Sequence, residues 1–185
     1  MKMKNKSLFR MILSALFAAL TAVAAQISIP VGPVPISLAT LGVYLAGAVL
    51  GAGGGAGSQA AYLLLGAAGV PVFAGFRGGV ASLAGPTGGY LAGYVVCAWI
   101  VGAVCGRFGR RALPIALSVA AGTAALYSRG TAWFMYSTGR GLQESLALCV
   151  LPFLPGDAAK AAVTVLAAPR LSAALGRLEA ARRPA

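Results

Sequence analysis

Charged residues are so rare in this chain that few folds remain open to it. Only three acids, Glu144, Asp157 and Glu179, occur in 185 residues, and long apolar tracts separate the clusters of Pro and Gly. With 59% hydrophobic and 10% charged residues, and a mean hydropathy of +0.85, the chain lacks the polar surface that a water-soluble domain requires. An integral membrane protein follows. A helix needs roughly 20 mostly apolar residues to cross a bilayer, so the tracts accommodate about six crossings. The expectation is an all-α, polytopic bundle of about six transmembrane helices in a single membrane domain.

The net charge of +12 would suggest nucleic acid in a soluble chain, but the placement of the cations suggests topology instead. Lys2, Lys4, Lys6 and Arg10 precede the first apolar tract; Arg107, Arg110 and Arg111 form a central cluster; Arg170, Arg177, Arg182 and Arg183 lie towards the C-terminus. With both termini cytoplasmic, these three groups fall on the inner side of the membrane, as the positive-inside rule requires, and no nucleic-acid partner is expected. Arg77, Arg129, Arg140 and Lys160 stand outside that pattern. The run from Met11 to Ala25 with its small-residue end "AVAA" also has the shape of a secretory signal peptide, which charge alone does not separate from a retained helix. Cys97, Cys105 and Cys149 lie in apolar tracts, with no CxxC and no His, so they read as packing residues and no metal site is expected.

Breaker residues predict helices over residues 8–27, 36–50, 59–70, 90–104, 113–136 and 157–175. Pro30, Pro33 and Pro35 in "SIPVGPVPIS" impose an extended outer loop, because each fixes its own φ and restrains its predecessor. "GAGGGAG" reads as a flexible inner turn. Residues 36–50 and 59–70 are short for a bilayer, which makes the segment "VFAGFRGGVASLAGPTGG" a structured outer loop rather than a spacer. No inverted repeat is visible.

Several motifs invite a functional reading. Gly51, Gly53 and Ala56 satisfy GxGxxA, yet no strand precedes them, no acid follows about 20 residues later and GxxxxGK[ST] is absent, so no nucleotide site and no ATPase are expected. Ala15 with Ala19, and Ala18 with Ala22, lay small residues along one side of the first helix, where another backbone could approach. In "GPTGGY", Thr87 could cap the next helix, Tyr90 could place its ring at the interface, and bare glycines could admit a ligand. Asp157 is the one acid at or within the membrane, and Lys160 shares its helical face. The pair reads either as a helix-start acid with an outward-snorkelling lysine, or as a ligand site whose carboxylate accepts NH groups and whose ammonium donates. Arg77 could clamp a carboxylate and Gln59 adds an amide, whereas Arg129 and Arg140 read as solvated loop charges.

The segments "ALFAALTAVAAQISIPVGPVPISLATLGVYLAG", "SQAAYLLLGAAGVPVFAG", "GPTGGYLAGY", "GTAWFMY" and "PFLPGDAAKAA", in that order, resemble the biotin-specific S components (BioY type) of energy-coupling-factor transporters over nearly the whole chain. The resemblance implies a six-helix bundle that binds biotin near the outer surface. It would dock on a transmembrane coupling subunit (the T component) driven by two ATPase subunits, and reorient to deliver its ligand. It also implies ligand contacts at Asp157 and Lys160, with Gln59, Tyr90 and the glycine-rich loop around Arg77 and Gly78 as further members. Ala15, Ala19 and Ala22 would slide on the coupling subunit, which argues that the first helix is retained. One departure is Arg129 in "YSRGTAW", where an apolar residue is expected. A proton-coupled carrier of a small organic anion, using Asp157 as proton carrier, and a structural subunit without a ligand are the rival expectations; a proton carrier usually needs a relay of ionisable groups.

Overall fold

The computed structural model describes residues 2–181; Arg182 and Arg183 of the basic C-terminal group lie outside them. The elements run α1 (Lys2–Gln26), β1 (Ser28–Ile29), β2 (Ile36–Ser37), α2 (Ala39–Ala67), α3 (Val80–Ala84), α4 (Gly88–Phe108), α5 (Ala112–Thr138), α6 (Leu142–Cys149) and α7 (Leu154–Ala181). The fold is nearly all helical. Its two short strands pair antiparallel, Ser28 opposite Ser37 and Ile29 opposite Ile36, and tie down the base of the proline loop. Pro30, Pro33 and Pro35 sit between them, where no ladder needs their missing N–H.

The glycine run departs most from expectation. Rather than a flexible turn, residues 52–67 continue as helix, and the break is confined to Gly51, at φ 79° and ψ −179°. That backbone region is closed to residues bearing a Cβ. The two arms, 39–50 and 52–67, fold back on each other there. A Cβ on Gly55 would lie 2.7 Å from Gly47 Cα, whereas eight residues along an unbroken helix span about 12 Å. The backbone of α4 closes over the same turn, since a Cβ on Gly102 would meet Ala52 N at 2.3 Å. Glycine costs about 1 kcal/mol per helical position relative to alanine, but between membrane helices it lets backbones touch.

Arg110, in the link between α4 and α5, donates to the carbonyls of Ala48 (2.7 Å) and Val49 (3.1 Å), the last residues of the first arm. A cation thus caps a helix C-terminus, where the helix dipole favours it. Ser14 of α1 reaches Gly54 O at 3.4 Å, so Arg10, one turn earlier, belongs to this same end. Arg170 lies on α7, about 20 Å along the helix from Asp157. Arg10, Arg110 and Arg170 therefore lie away from the Asp157 end of the bundle.

α4 packs between α2 and α5, while α7 rests on α2 and α5 and α1 on α2. Tyr44, Tyr62, Phe134, Ile115 and Leu126 are fully buried in the core. Among the described residues, α1 from Ser7, α2, α4 and α7 to Leu178 are long and apolar enough to cross a bilayer. The buried share of those windows is 61% for α2 and α4 but 28% for α1 and 17% for α7, which makes α1 and α7 the peripheral helices with apolar outer faces. This is a membrane protein.

The later helices also extend past their expected bounds. α5 continues to Thr138, where Gly139 in the left-handed conformation closes it with a bond from its N–H to Met135 O. Arg129 is consequently an exposed residue within α5 rather than a loop charge, while Arg140 follows α5 and pairs with Glu144 of α6. α7 begins at Leu154, with Pro155 in its first turn, and continues through Pro169.

Candidate functional site

The first turns of α7 place Asp157 and Lys160 on the face turned to the bundle, and both are only 6% exposed. Lys160 therefore does not snorkel outward; its Nζ donates to Asp157 Oδ1 at 2.9 Å and to Thr40 Oγ1 at 2.9 Å. Thr40, from the first turn of α2, in turn donates to Oδ1 at 3.2 Å. On the other side, Tyr127 of α5 donates its hydroxyl to Oδ2. Three helices thus converge on one carboxylate. A buried ion pair is tolerable only when its remaining hydrogen-bonding positions are met, and here two neutral hydroxyls meet them.

Two adjoining cavities open beside this cluster. One is lined by Thr40, Tyr127, Asp157 and Lys160 together with Leu126 and Phe153. The other is lined by Tyr62, Phe73, Arg77, Ser82 and Thr87 among others. Val34, Pro35, Ser37, Tyr90 and Tyr94 line both, so the proline loop and two tyrosines of α4 form the shared wall. The arrangement is a largely apolar, aromatic cleft with an ion pair towards one end and an arginine towards the other, the usual character of a small-molecule site.

The expected site residues divide accordingly. Asp157 and Lys160 line the smaller cavity, Arg77 the larger, and Tyr90 both. Tyr90 is buried, not interfacial, and its hydroxyl meets Thr131 Oγ1 at 3.0 Å. Gly78 lines neither cavity; a Cβ there would lie 2.5 Å from Val70 O, so its role is packing within the loop. Gln59 also lies outside both. Its amide donates to Thr21 Oγ1 of α1 at 3.2 Å, and its Oε1 is buried without a partner. The amide that serves the loop is instead Gln26, at the end of α1. It donates to Val72 O and Phe73 O and accepts from Phe76 N, pinning the segment that carries Arg77.

Thr87 occupies the cap position of α4, but its hydroxyl reaches Ser82 O at 3.4 Å rather than a helix N–H. The "GPTGG" glycines face protein, not an open approach: a Cβ on Gly89 would lie 2.2 Å from Trp133 Cβ of α5. On α1, Ala15 and Ala19 are exposed and Ala22 is half-buried. At the end of α6, burial pushes the Cys149 thiol above its ordinary pKa, which keeps it protonated. No cluster of metal-ligating side chains occurs among the described residues.

Thr40, Tyr94 and Tyr127 are among the lining residues that the sequence reading missed. Each is a lone hydroxyl on an apolar helix. The only signal was that a polar side chain within a membrane helix must find a partner.

The family described as the BioY family matches residues 1–177. The chain belongs to that family. A probable biotin transporter BioY of Pyrococcus horikoshii is 43% identical over 171 residues, covering 92% of this chain and 98% of its own. The biotin transporter BioY of Thermotoga maritima is 38% identical over 162 residues, covering 88% and 95%. Among solved structures, the S-component for biotin from an ECF-type ABC transporter superposes with a TM-score of 0.84 at 31% identity, covering 90% of this chain and 92% of that one. This family is one of transport subunits, and the aromatic cleft with its buried ion pair lies within a fold that it shares.

Proposed function

We propose that this chain is the biotin-binding S component of an ECF-type uptake transporter. The observation that carries the reading is the buried Asp157–Lys160 pair, 2.9 Å apart, beside an aromatic-walled cleft in a chain of this family. Biotin suits that chemistry. Its ureido ring offers two NH donors and a carbonyl, its valerate carboxylate calls for a cation, and its carbon and sulfur framework suits tyrosine walls. Arg77, towards the other end of the cleft, supplies a second cation.

Six crossings follow when α2 contributes two through its fold-back at Gly51 and α5 is counted beside α1, α4 and α7. The basic end, with Arg10 and Arg110, then faces the cytoplasm together with both termini, in a bacterial or archaeal cell membrane. The site faces outward. This subunit carries no ATPase; a coupling subunit and two ATPase subunits drive it, docking on the α1 face that includes Ala15, Ala19 and Ala22. A proton relay has little to work with, because Glu144 pairs with exposed Arg140 and Asp157 is held by Lys160.

Calorimetric titration of the purified chain with biotin tests the reading, and micromolar or tighter binding is expected. Asp157→Asn is expected to weaken it at least about tenfold by removing a charge-assisted acceptor. Absence of heat at micromolar biotin, in protein whose thermal unfolding shows it to be folded, would sink the proposal. Ala19→Trp tests the docking face separately: biotin binding persists while co-purification with a coupling subunit is lost.

A further inference from the structure

We infer that Tyr127 is a specificity-determining residue, reading the N–H/C=O edge of the ligand together with Asp157. The inference rests on the biotin reading above and concerns a residue that reading does not use. Asp157 presents two oxygens of unequal availability. Oδ1 already accepts from Lys160 at 2.9 Å and from Thr40 at 3.2 Å. Among the described residues Oδ2 has one partner, the Tyr127 hydroxyl, supplied by a different helix and a half-buried ring that lines the cavity. A ligand N–H that enters the cavity therefore reaches the carboxylate at Oδ2, where it meets that hydroxyl.

The consequence is set by valence. A phenol O–H has one proton to donate, and an acceptor on the ligand beside that N–H can draw it from Oδ2. A cyclic urea carries that acceptor beside the N–H. Its edge inserts between the two side chains, N–H donating to Oδ2 and Tyr127 O–H donating to the carbonyl. One internal hydrogen bond is exchanged for two to the ligand. A guanidinium edge of the same shape offers no acceptor for that proton and sets donor against donor, the kind of mismatch that binding sites reject strongly.

The test uses the full chain in detergent, with affinities for biotin and for 2-iminobiotin, whose ring is a protonated guanidinium at pH 7, measured by competition. The wild-type chain is expected to favour biotin. Tyr127→Phe is expected to weaken biotin about tenfold while leaving iminobiotin within about twofold, so the preference falls about tenfold. Tyr44→Phe is the control, because that hydroxyl meets Thr123 Oγ1 at 2.8 Å rather than Asp157, and its preference should stay within about twofold of wild type. Equal losses for both ligands in Tyr127→Phe, no loss for either, or the same narrowing in Tyr44→Phe would each overturn the inference. Should Tyr127→Phe fail to fold, the wild-type chain decides: equal affinity for the two ligands overturns it, and a preference for biotin supports it. Failure of the wild-type chain to bind biotin at all would instead strike the proposed function, and this inference with it.

Discussion

The two ends of the bundle obey opposite packing rules. At the Gly51 end side chains are withdrawn, so that Gly47, Gly55 and Gly102 let three helical segments meet backbone to backbone, with Arg110 bonding the Ala48 and Val49 carbonyls. At the Asp157 end the same helices carry Thr40, Tyr62, Tyr90 and Tyr94, whose bulk holds the segments apart around two cavities. Space for a ligand at one end is compatible with a stable bundle because the other end is tightly joined. The contrast shows that the glycine run from Gly51 to Gly57 marks the firm end of the bundle rather than a flexible one.

Substitutions that exchange the character of the ends test that contrast. The largest effect is expected from Gly102→Val, whose side chain would collide with the backbone of Gly51 and Ala52. Stability should fall by more than about 4 kcal/mol, and little monodisperse protein should survive size-exclusion chromatography. A normal melting temperature would show that the Gly51 end is not tightly joined. Next, Lys160→Met leaves Asp157 buried with hydroxyl partners alone; a loss of about 3 kcal/mol in thermal unfolding and at least tenfold in biotin affinity is expected. If affinity held while stability fell, the lysine would belong to the fold and not to the ligand.

A smaller change comes from Arg110→Ala, which uncovers the Ala48 and Val49 carbonyls at the firm end. It should cost about 1 kcal/mol, given the exposure of the arginine, and leave biotin affinity unchanged. A parallel drop in affinity would mean that the two ends are coupled through α2. The smallest effect is expected from Gln59→Leu. Its amide faces Thr21 rather than a cavity, and Thr21 keeps its own bond to Phe17 O at 2.9 Å. Affinity should stay within about twofold and stability within about 1 kcal/mol, since a buried unpartnered oxygen is removed along with a hydrogen bond. A tenfold loss of affinity would return Gln59 to the site.

Much of the fold and part of the site were legible in the sequence. Helices needed only apolar tracts and breakers, and the site needed only an acid where acids are costly. The limits of that reading appear in particular residues. A row of glycines has the same appearance whether it is a turn or a packed helix, and only the approach of α4 makes residues 52–57 helical while Gly51 alone turns. Gln26 and Gln59 are both amides on apolar helices, and which of them serves the ligand-side loop depends on how α1 lies against α2.

Residue order was enough to give this protein's solvent, its helical class, its charge asymmetry and the pair at Asp157 and Lys160. These depend on hydropathy and on spacing within one helix, both local properties. It took packing between helices to turn Lys160 inward, to bring Thr40 and Tyr127 to the carboxylate, and to set Arg110 on the first arm of α2. Each of those is a meeting of side chains or backbone from different helices. Apolar helices can satisfy hydropathy in many rotations, and only close packing selects one.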